Sequence, residues 1–239
     1  MNIELGVNKK VRRAYGIDEI ALVPGNRTLD YDLTDPSWSI GDIKREVPIV
    51  ASAMDSVVDV NTAVELTKLG SLGVINMEGI QTRYENPDEI LNQIASVGKN
   101  EFVPLMQKIY NEPVKEGLIF QRINEVKEGG GIAAFSGTPQ AAIKFKETLN
   151  NSKIDLFFLQ GTVVSTEHLG MEGKKTLNIK DLCQSLNVPV VAGKLCYLRS
   201  RKTSHGCWSC RINGWDRTWS GMYIKRSIGN WNPSSNRNC

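Results

Sequence analysis

Up to residue 193 the chain alternates short, β-branched apolar runs with amphipathic segments, and this alternation admits few folds. VPIVASAM (47–54) reads as a strand, and NTAVELTKLG (61–70) has apolar residues at helical spacing and a closing Gly. LGVINM (72–77) is a second strand. PDEILNQIASVG (87–98) is a helix whose first turn holds Pro and two acids, residues favoured there. GIAAFS (131–136) precedes a helix over 139–152, IDLFFLQG (154–161) a helix over 178–187, and VPVVAG (188–193) is the last strand of the series. Residues 101–107 and 116–128 read equally as another strand–helix unit or as a helical excursion.

Continuous apolar strands alternating with helices indicate βαβ units and a buried parallel sheet. Two architectures satisfy that pattern, a doubly wound sheet and a (β/α)8 barrel. No G-x-G-x-x-G follows the first strand, which argues against the dinucleotide-binding doubly wound fold. A barrel takes about 250 residues, whereas here 193 residues supply about five strands.

At Gly193 the composition changes. Residues 1–193 hold 20 Lys+Arg and 25 Asp+Glu; residues 194–239 hold 9 Lys+Arg and a single acid, Asp216. The same 46 residues carry four of the five Trp and four of the five Cys, but no Ala and no Val. A globular segment does not normally lose its small core-filling residues at one point, so two unlike segments meet there. Whole-chain values (41 % hydrophobic, 7 % aromatic) exclude disorder as the general state. No apolar run reaches the roughly 18 residues of a membrane span, and no signal-like apolar segment opens the chain. A cytoplasmic protein without membrane contact is the expectation.

Four segments carry a family resemblance. YGIDEIALVPG (15–25), PIVASAMDSVVD (48–59) with its Ser-x-Met-Asp turn, LGSLGVINMEGIQTRYE (69–85) and VPVVAG (188–193) resemble, in order, motifs of the IMP dehydrogenase/GMP reductase family. The wording, FLQGTVVSTEHL (158–169) included, is most similar to the IMP dehydrogenase-related branch without an inserted CBS-domain pair. The resemblance implies an α/β fold, a (β/α)8 TIM barrel truncated after about five strands, over residues 1–193. It implies NAD-dependent oxidation of IMP to XMP, in a cytoplasmic homo-oligomer, with GMP reduction as the enzymatic alternative. It places Ser52 and Met54 against the nucleotide, and Gln160, Gly161, Thr162 and Gly193 at the cofactor. Gln160 stands where classical dehydrogenases carry an acidic residue.

After Gly193 the family continues Asn-Cys-Val-Thr-Tyr-Glu and later Gly-Ile-Gly-Pro-Gly-Ala-x-Cys, the loop bearing its nucleophilic thiolate. Neither stretch occurs here. One inserted base at Lys194 accounts for the difference. Under that shift the single codons of Trp and Met force Gly at Trp215, Gly at Trp219 and Cys at Met222–Tyr223, which is the spacing of the missing loop. Residues 194–239 are therefore expected to be a frameshifted tail without a domain. The chain as written is expected to lack a catalytic residue and to be a non-catalytic remnant.

Other features have simpler readings. Cys207 and Cys210, with Cys196, His205 and Cys239, match zinc or redox spacing only on paper, and no metal site is expected. The basic, Trp-rich tail has no nucleic-acid module signature, so no specific nucleic acid is expected. Lys9, Lys10, Arg12 and Arg13 read as a solvated face, His168 as structural, and Cys183 as a helix core position. Asp55 reads either as a cap for the next helix or as a ligand contact. Glu128 with Gly129–Gly131 reads as a helix stop.

Overall fold

The computed structural model describes residues 2–4, 10–12, 19, 21, 23, 30–98, 100–160, 167–168, 177–192 and 222–223. A short antiparallel pair, β1 (Asn2–Glu4) and β2 (Lys10–Arg12), opens the chain, and the hairpin β3 (Trp38–Ile40)–β4 (Ile43–Arg45) follows. The repeating units then begin with β5 (Ile49–Ala51) and α1 (Val60–Lys68). Next come β6 (Leu72–Gly73), β7 (Ile75–Asn76) and a 3-10 turn at Ile80–Thr82.

Residues 101–128 turn out to be the helical excursion. α2 (Pro87–Ser96), α3 (Phe102–Asn111) and α4 (Glu116–Glu128) succeed one another without a strand. Pro104 falls in the first turn of α3, where a missing N–H costs nothing. β8 (Ala134–Gly137), α5 (Pro139–Lys144), α6 (Lys146–Asn151) and β9 (Leu156–Leu159) restore the alternation. The two-residue pair β10 (Glu167–His168) and β11 (Leu177–Asn178), then α7 (Ile179–Ser185) and β12 (Val190–Ala192), complete it. The helix expected over 139–152 is broken at Phe145, whose side chain is buried with the helix-facing core while its backbone leaves helical geometry.

β5, the β6–β7 run, β8, β9 and β12 lie side by side and parallel in sequence order. A doubly wound sheet reverses its strand order at a switch point; this one does not. Sequential parallel order with right-handed helical crossovers is the pattern of a (β/α) barrel wall. The outer edge of β12 has no strand partner among the described residues, and β13 (Met222–Tyr223) pairs antiparallel with β5.

Period-two alternation sorts the strand residues into two cores. Ile75, Met77, Phe135, Phe157, Leu159, Val190 and Ala192 face the helices, packing with Ile119, Ile123 and Val126 of α4. Val50, Leu72, Val74, Ala134, Leu156 and Phe158 face the other way, into the barrel interior, where Trp38 of the hairpin joins them. Each such fully buried large aliphatic side chain contributes about 1.5–3 kcal/mol relative to exposure. Because Trp38, Ile40 and Ile43 pack with residues at the strand starts, the hairpin closes the N-terminal end of the wall. The Trp38 indole N–H fixes it there by donating to the Val47 carbonyl at 2.6 Å. α1 approaches the sheet at Gly73, where a Cβ would stand 2.8 Å from the Ala63 Cα.

Candidate functional site

The interior face changes character toward the C-terminal ends of the strands. Below lie Val50, Val74, Ala134 and Phe158. Two residues further along the same face of each strand come Ser52, Asn76, Ser136 and Gln160. Apolar residues thus fill the barrel floor, and hydroxyl and amide groups rim its open end, where barrel enzymes hold their ligands.

Three of these residues form a row across β7, β8 and β9. Asn76 and Ser136 are register partners. The Ser136 hydroxyl, 3 % exposed as a residue, donates to Oε1 of Gln160 at 2.7 Å. The Gln160 N–H donates to the Gly137 carbonyl at 2.8 Å, holding the end of β9 against β8. The Glu78 N–H donates to Oδ1 of Asn76 at 3.0 Å. Oε2 of Glu78 in turn accepts from the Thr138 N–H at 2.7 Å, tying the loop after β7 to the loop after β8.

Ser52 and Met54 lie in the turn after β5, both half-buried. The Met54 N–H donates to the Ser52 carbonyl at 2.8 Å, and the Met54 carbonyl accepts from the amides of Val57 and Val58. This tight backbone closure defines the turn, and the Ser52 hydroxyl has no hydrogen bond to another described residue. Ser52 and Gln160 therefore sit on the same interior face, at the ends of the first and fourth strands of the wall. Gly161, Thr162 and Gly193 lie outside the described residues, as do Cys196, His205, Cys207, Cys210 and Cys239 of the tail.

Asp55 does not cap α1. Asp59 does, accepting from the Thr62 N–H at 2.7 Å. Asp55 reaches instead to α3, where the Tyr110 hydroxyl donates to its Oδ2. Burial raises the Asp55 carboxyl above its ordinary value, against the lowering pull of Tyr110, the Ile80 amide and Arg83. The Arg83 guanidinium lies 5.7 Å from the Tyr110 ring centre and donates to the carbonyls of Glu78 and Glu112. Nothing in the local sequence signals this cluster, because its members are brought together from three separate loops and helices. The remaining readings are simpler. Gly129 and Gly130 return their amides to Glu125 and Lys127 and stop α4, and Cys183 packs half-buried against the helix-facing core.

No helix among the described residues is long and apolar enough to cross a membrane.

Comparison with known proteins agrees with this geometry. The family model described as "IMP dehydrogenase / GMP reductase domain" matches residues 14–202. Uncharacterized oxidoreductases of Mycolicibacterium smegmatis and of Mycobacterium tuberculosis are each 32 % identical over 196 residues, 80 % of this chain and 52 % of theirs. An inosine-5'-monophosphate dehydrogenase of Methanocaldococcus jannaschii is 32 % identical over 104 residues, covering 44 % of this chain and 20 % of its own. The solved structure of an IMP dehydrogenase/GMP reductase-like protein from Corynebacterium glutamicum superposes with a TM-score of 0.79 at 27 % identity, covering 88 % of this chain and 56 % of that one. The chain spans about half the length of the oxidoreductases it matches. By the family model, the sequential parallel wall and these likenesses, the chain belongs to the IMP dehydrogenase/GMP reductase family of TIM-barrel oxidoreductases.

Proposed function

We propose that the complete barrel to which this sequence corresponds oxidises IMP to XMP with NAD, and that the chain as written does not turn over. The observation that supports a nucleotide site is the polar rim. Ser52, Asn76, Ser136 and Gln160 stand together on the interior face, above an apolar floor, at the strand ends. In this reading Ser52 and Met54 contact the purine nucleotide, and Gln160, with Gly161, Thr162 and Gly193, contacts the cofactor. The rim's hydroxyl and amide groups suit the sugar hydroxyls and carboxamide of a dinucleotide. NAD, when bound, accepts the hydride that leaves the purine. The chain's own residues hold the two ligands side by side and keep water from the apolar floor.

In the same reading, residues 1–193 are the N-terminal part of the barrel and residues 194–239 are the product of a shifted reading frame. The compositional break at Gly193 and the codons forced by Trp215, Trp219 and Met222 support this. The family's thiolate loop belongs where that tail runs, and covalent catalysis at the purine needs a thiolate. Homo-oligomer assembly is proposed for the complete barrel on the same family grounds.

The experiment is an assay of the purified chain with IMP and NAD, alongside a version with one base removed at the Lys194 codon. The chain as written should produce no rise in the NADH band, and the reframed protein should produce one. Turnover by the unaltered chain would overturn the claim that the loop is required. No turnover by the reframed protein would overturn the assignment of the reaction.

A further inference from the structure

The polar row of the candidate site has a direction. Oδ1 of Asn76 is taken by the Glu78 N–H, and Oε1 of Gln160 is taken by the Ser136 hydroxyl. No described residue accepts from the amide nitrogen of either side chain. An amide is planar, and its oxygen and NH2 group leave the carbon about 120° apart, so fixing the oxygen fixes where the two N–H donors go. Ser136 stands in register with Asn76 and Phe158, deeper in the wall than Gln160. It therefore holds the oxygen of Gln160 toward the sheet and leaves the NH2 group to the open end.

We propose that Ser136 is a positioning residue: by holding Oε1 of Gln160 it turns the amide's N–H donors to the ligand, so that the Asn76–Ser136–Gln160 row selects a ligand group that accepts hydrogen bonds. This rests on the reading of the rim as a dinucleotide site. The buried position of Ser136 gives it no direct ligand contact, and among the described residues its hydroxyl makes one hydrogen bond, the one to Gln160. A carboxylate at position 160 would accept from ribose hydroxyls. The oriented amide instead donates to a ribose oxygen lone pair or to a carboxamide carbonyl. The row thus supplies recognition of opposite hydrogen-bonding sense at the same place on the wall.

The test is a double-mutant cycle on the full chain, read by NAD binding calorimetry and by NMR of the side-chain amide of Gln160. Ser136→Ala should weaken NAD binding about threefold to tenfold, the loss of one oriented hydrogen bond. In a Gln160→Ala background it should change nothing further, because nothing is left to orient. By NMR relaxation, the side-chain amide of Gln160, assigned by its disappearance in Gln160→Ala, should be rigid in the parent chain and mobile in Ser136→Ala. An equal loss of NAD affinity in both backgrounds, or none in either, would overturn the positioning role while leaving the dinucleotide site standing. If the parent chain does not bind NAD, the dinucleotide reading falls. The amide mobility then decides the positioning role alone: rigidity lost in Ser136→Ala supports it, and unchanged rigidity refutes it.

Discussion

The Tyr110 hydroxyl donates a 2.5 Å hydrogen bond to Oδ2 of Asp55, joining a helix of the excursion to the residue that follows Met54. The other carboxylate oxygen, Oδ1, is buried and makes no hydrogen bond of normal geometry. It presses against Gly79, in the loop after β7. The pair thus fastens three segments at the open end of the wall: the turn bearing Ser52 and Met54, the loop after β7, and α3. α3 buries only Ile109, and α2 buries nothing, so this hydrogen bond, with those from Arg83 to the Glu112 carbonyl and from the Tyr84 hydroxyl to the Ile109 carbonyl, holds α3 down.

Tyr110→Phe should therefore loosen the excursion without unfolding the wall. The residue is about one-third exposed, so the expected loss is modest, about 0.5–1.5 kcal/mol. Hydrogen exchange should accelerate across 102–111 and remain slow in β8 and β9. Equal acceleration in the strands would show that the hydrogen bond supports the whole domain instead.

The same carboxyl sets a pH dependence. Burial raises the folded-state pKa of Asp55 above its ordinary 3.8, so the folded protein binds this proton more tightly than the unfolded chain does. Stability from this group is then fully present below 3.8 and is lost as pH rises through the higher folded value. Asp55→Asn should remove that decline and make urea midpoints flatter between mildly acidic and neutral pH. A parent chain that gains stability over the same interval, with no difference in Asp55→Asn, would contradict it. Tyr110→Phe should steepen the decline, because its hydroxyl favours the ionised carboxylate.

Gly79 and Gly117 make a contrasting pair. A Cβ on Gly79 would lie 1.9 Å from Oδ1 of Asp55 and 2.6 Å from its Cγ, so the carboxylate must move. Gly79→Ala should cost about 1–3 kcal/mol by overpacking. A Cβ on Gly117, in the first turn of α4, meets nothing within 4 Å. Gly117→Ala should gain about 0.5–1 kcal/mol by restricting the unfolded chain. Thermal unfolding of the two variants should shift in opposite directions.

Much of the wall was legible because its signals are local. Pro87, Asp88 and Glu89 mark the start of α2, and alternation along IDLFFLQG separates Phe157 from Phe158 onto opposite faces. Strand order did not follow from the repeating units, which fit a doubly wound sheet as well as a barrel; the family resemblance pointed to the barrel. The site itself was only partly legible. Ser52 and Gln160 stand out through resemblance, but the Ser136–Gln160 hydrogen bond depends on register between strands 24 residues apart. The Asp55–Tyr110 bond spans 55 residues, and no period or motif encodes such a pairing. Phe145 shows the same limit: its helix pattern runs on unbroken in sequence, while tertiary burial of the ring ends α5.

Arg122 makes the strongest stability prediction. Its side chain is 7 % exposed, and each guanidinium nitrogen is hydrogen-bonded. Nε donates to the Gln81 carbonyl at 3.0 Å, Nη2 to the carbonyls of Tyr84 and Glu85, and Nη1 to both carboxylate oxygens of Glu125. The guanidinium therefore closes the backbone of the segment after the 3-10 turn onto α4. Arg122→Met keeps most of the aliphatic volume but strands the buried Gln81 carbonyl, the more open carbonyls of Tyr84 and Glu85, and one carboxylate. Removing one partner of such a buried pair costs about 3–5 kcal/mol. Glu125 is 33 % exposed and can turn to water, which places the expected loss at the lower end, about 3 kcal/mol. Arg122→Lys keeps the charge but not the planar fork, so it should recover less than half of the loss. Urea unfolding of the parent and both variants measures this directly. Full recovery by lysine would show that charge, and not the fork geometry, closes this segment.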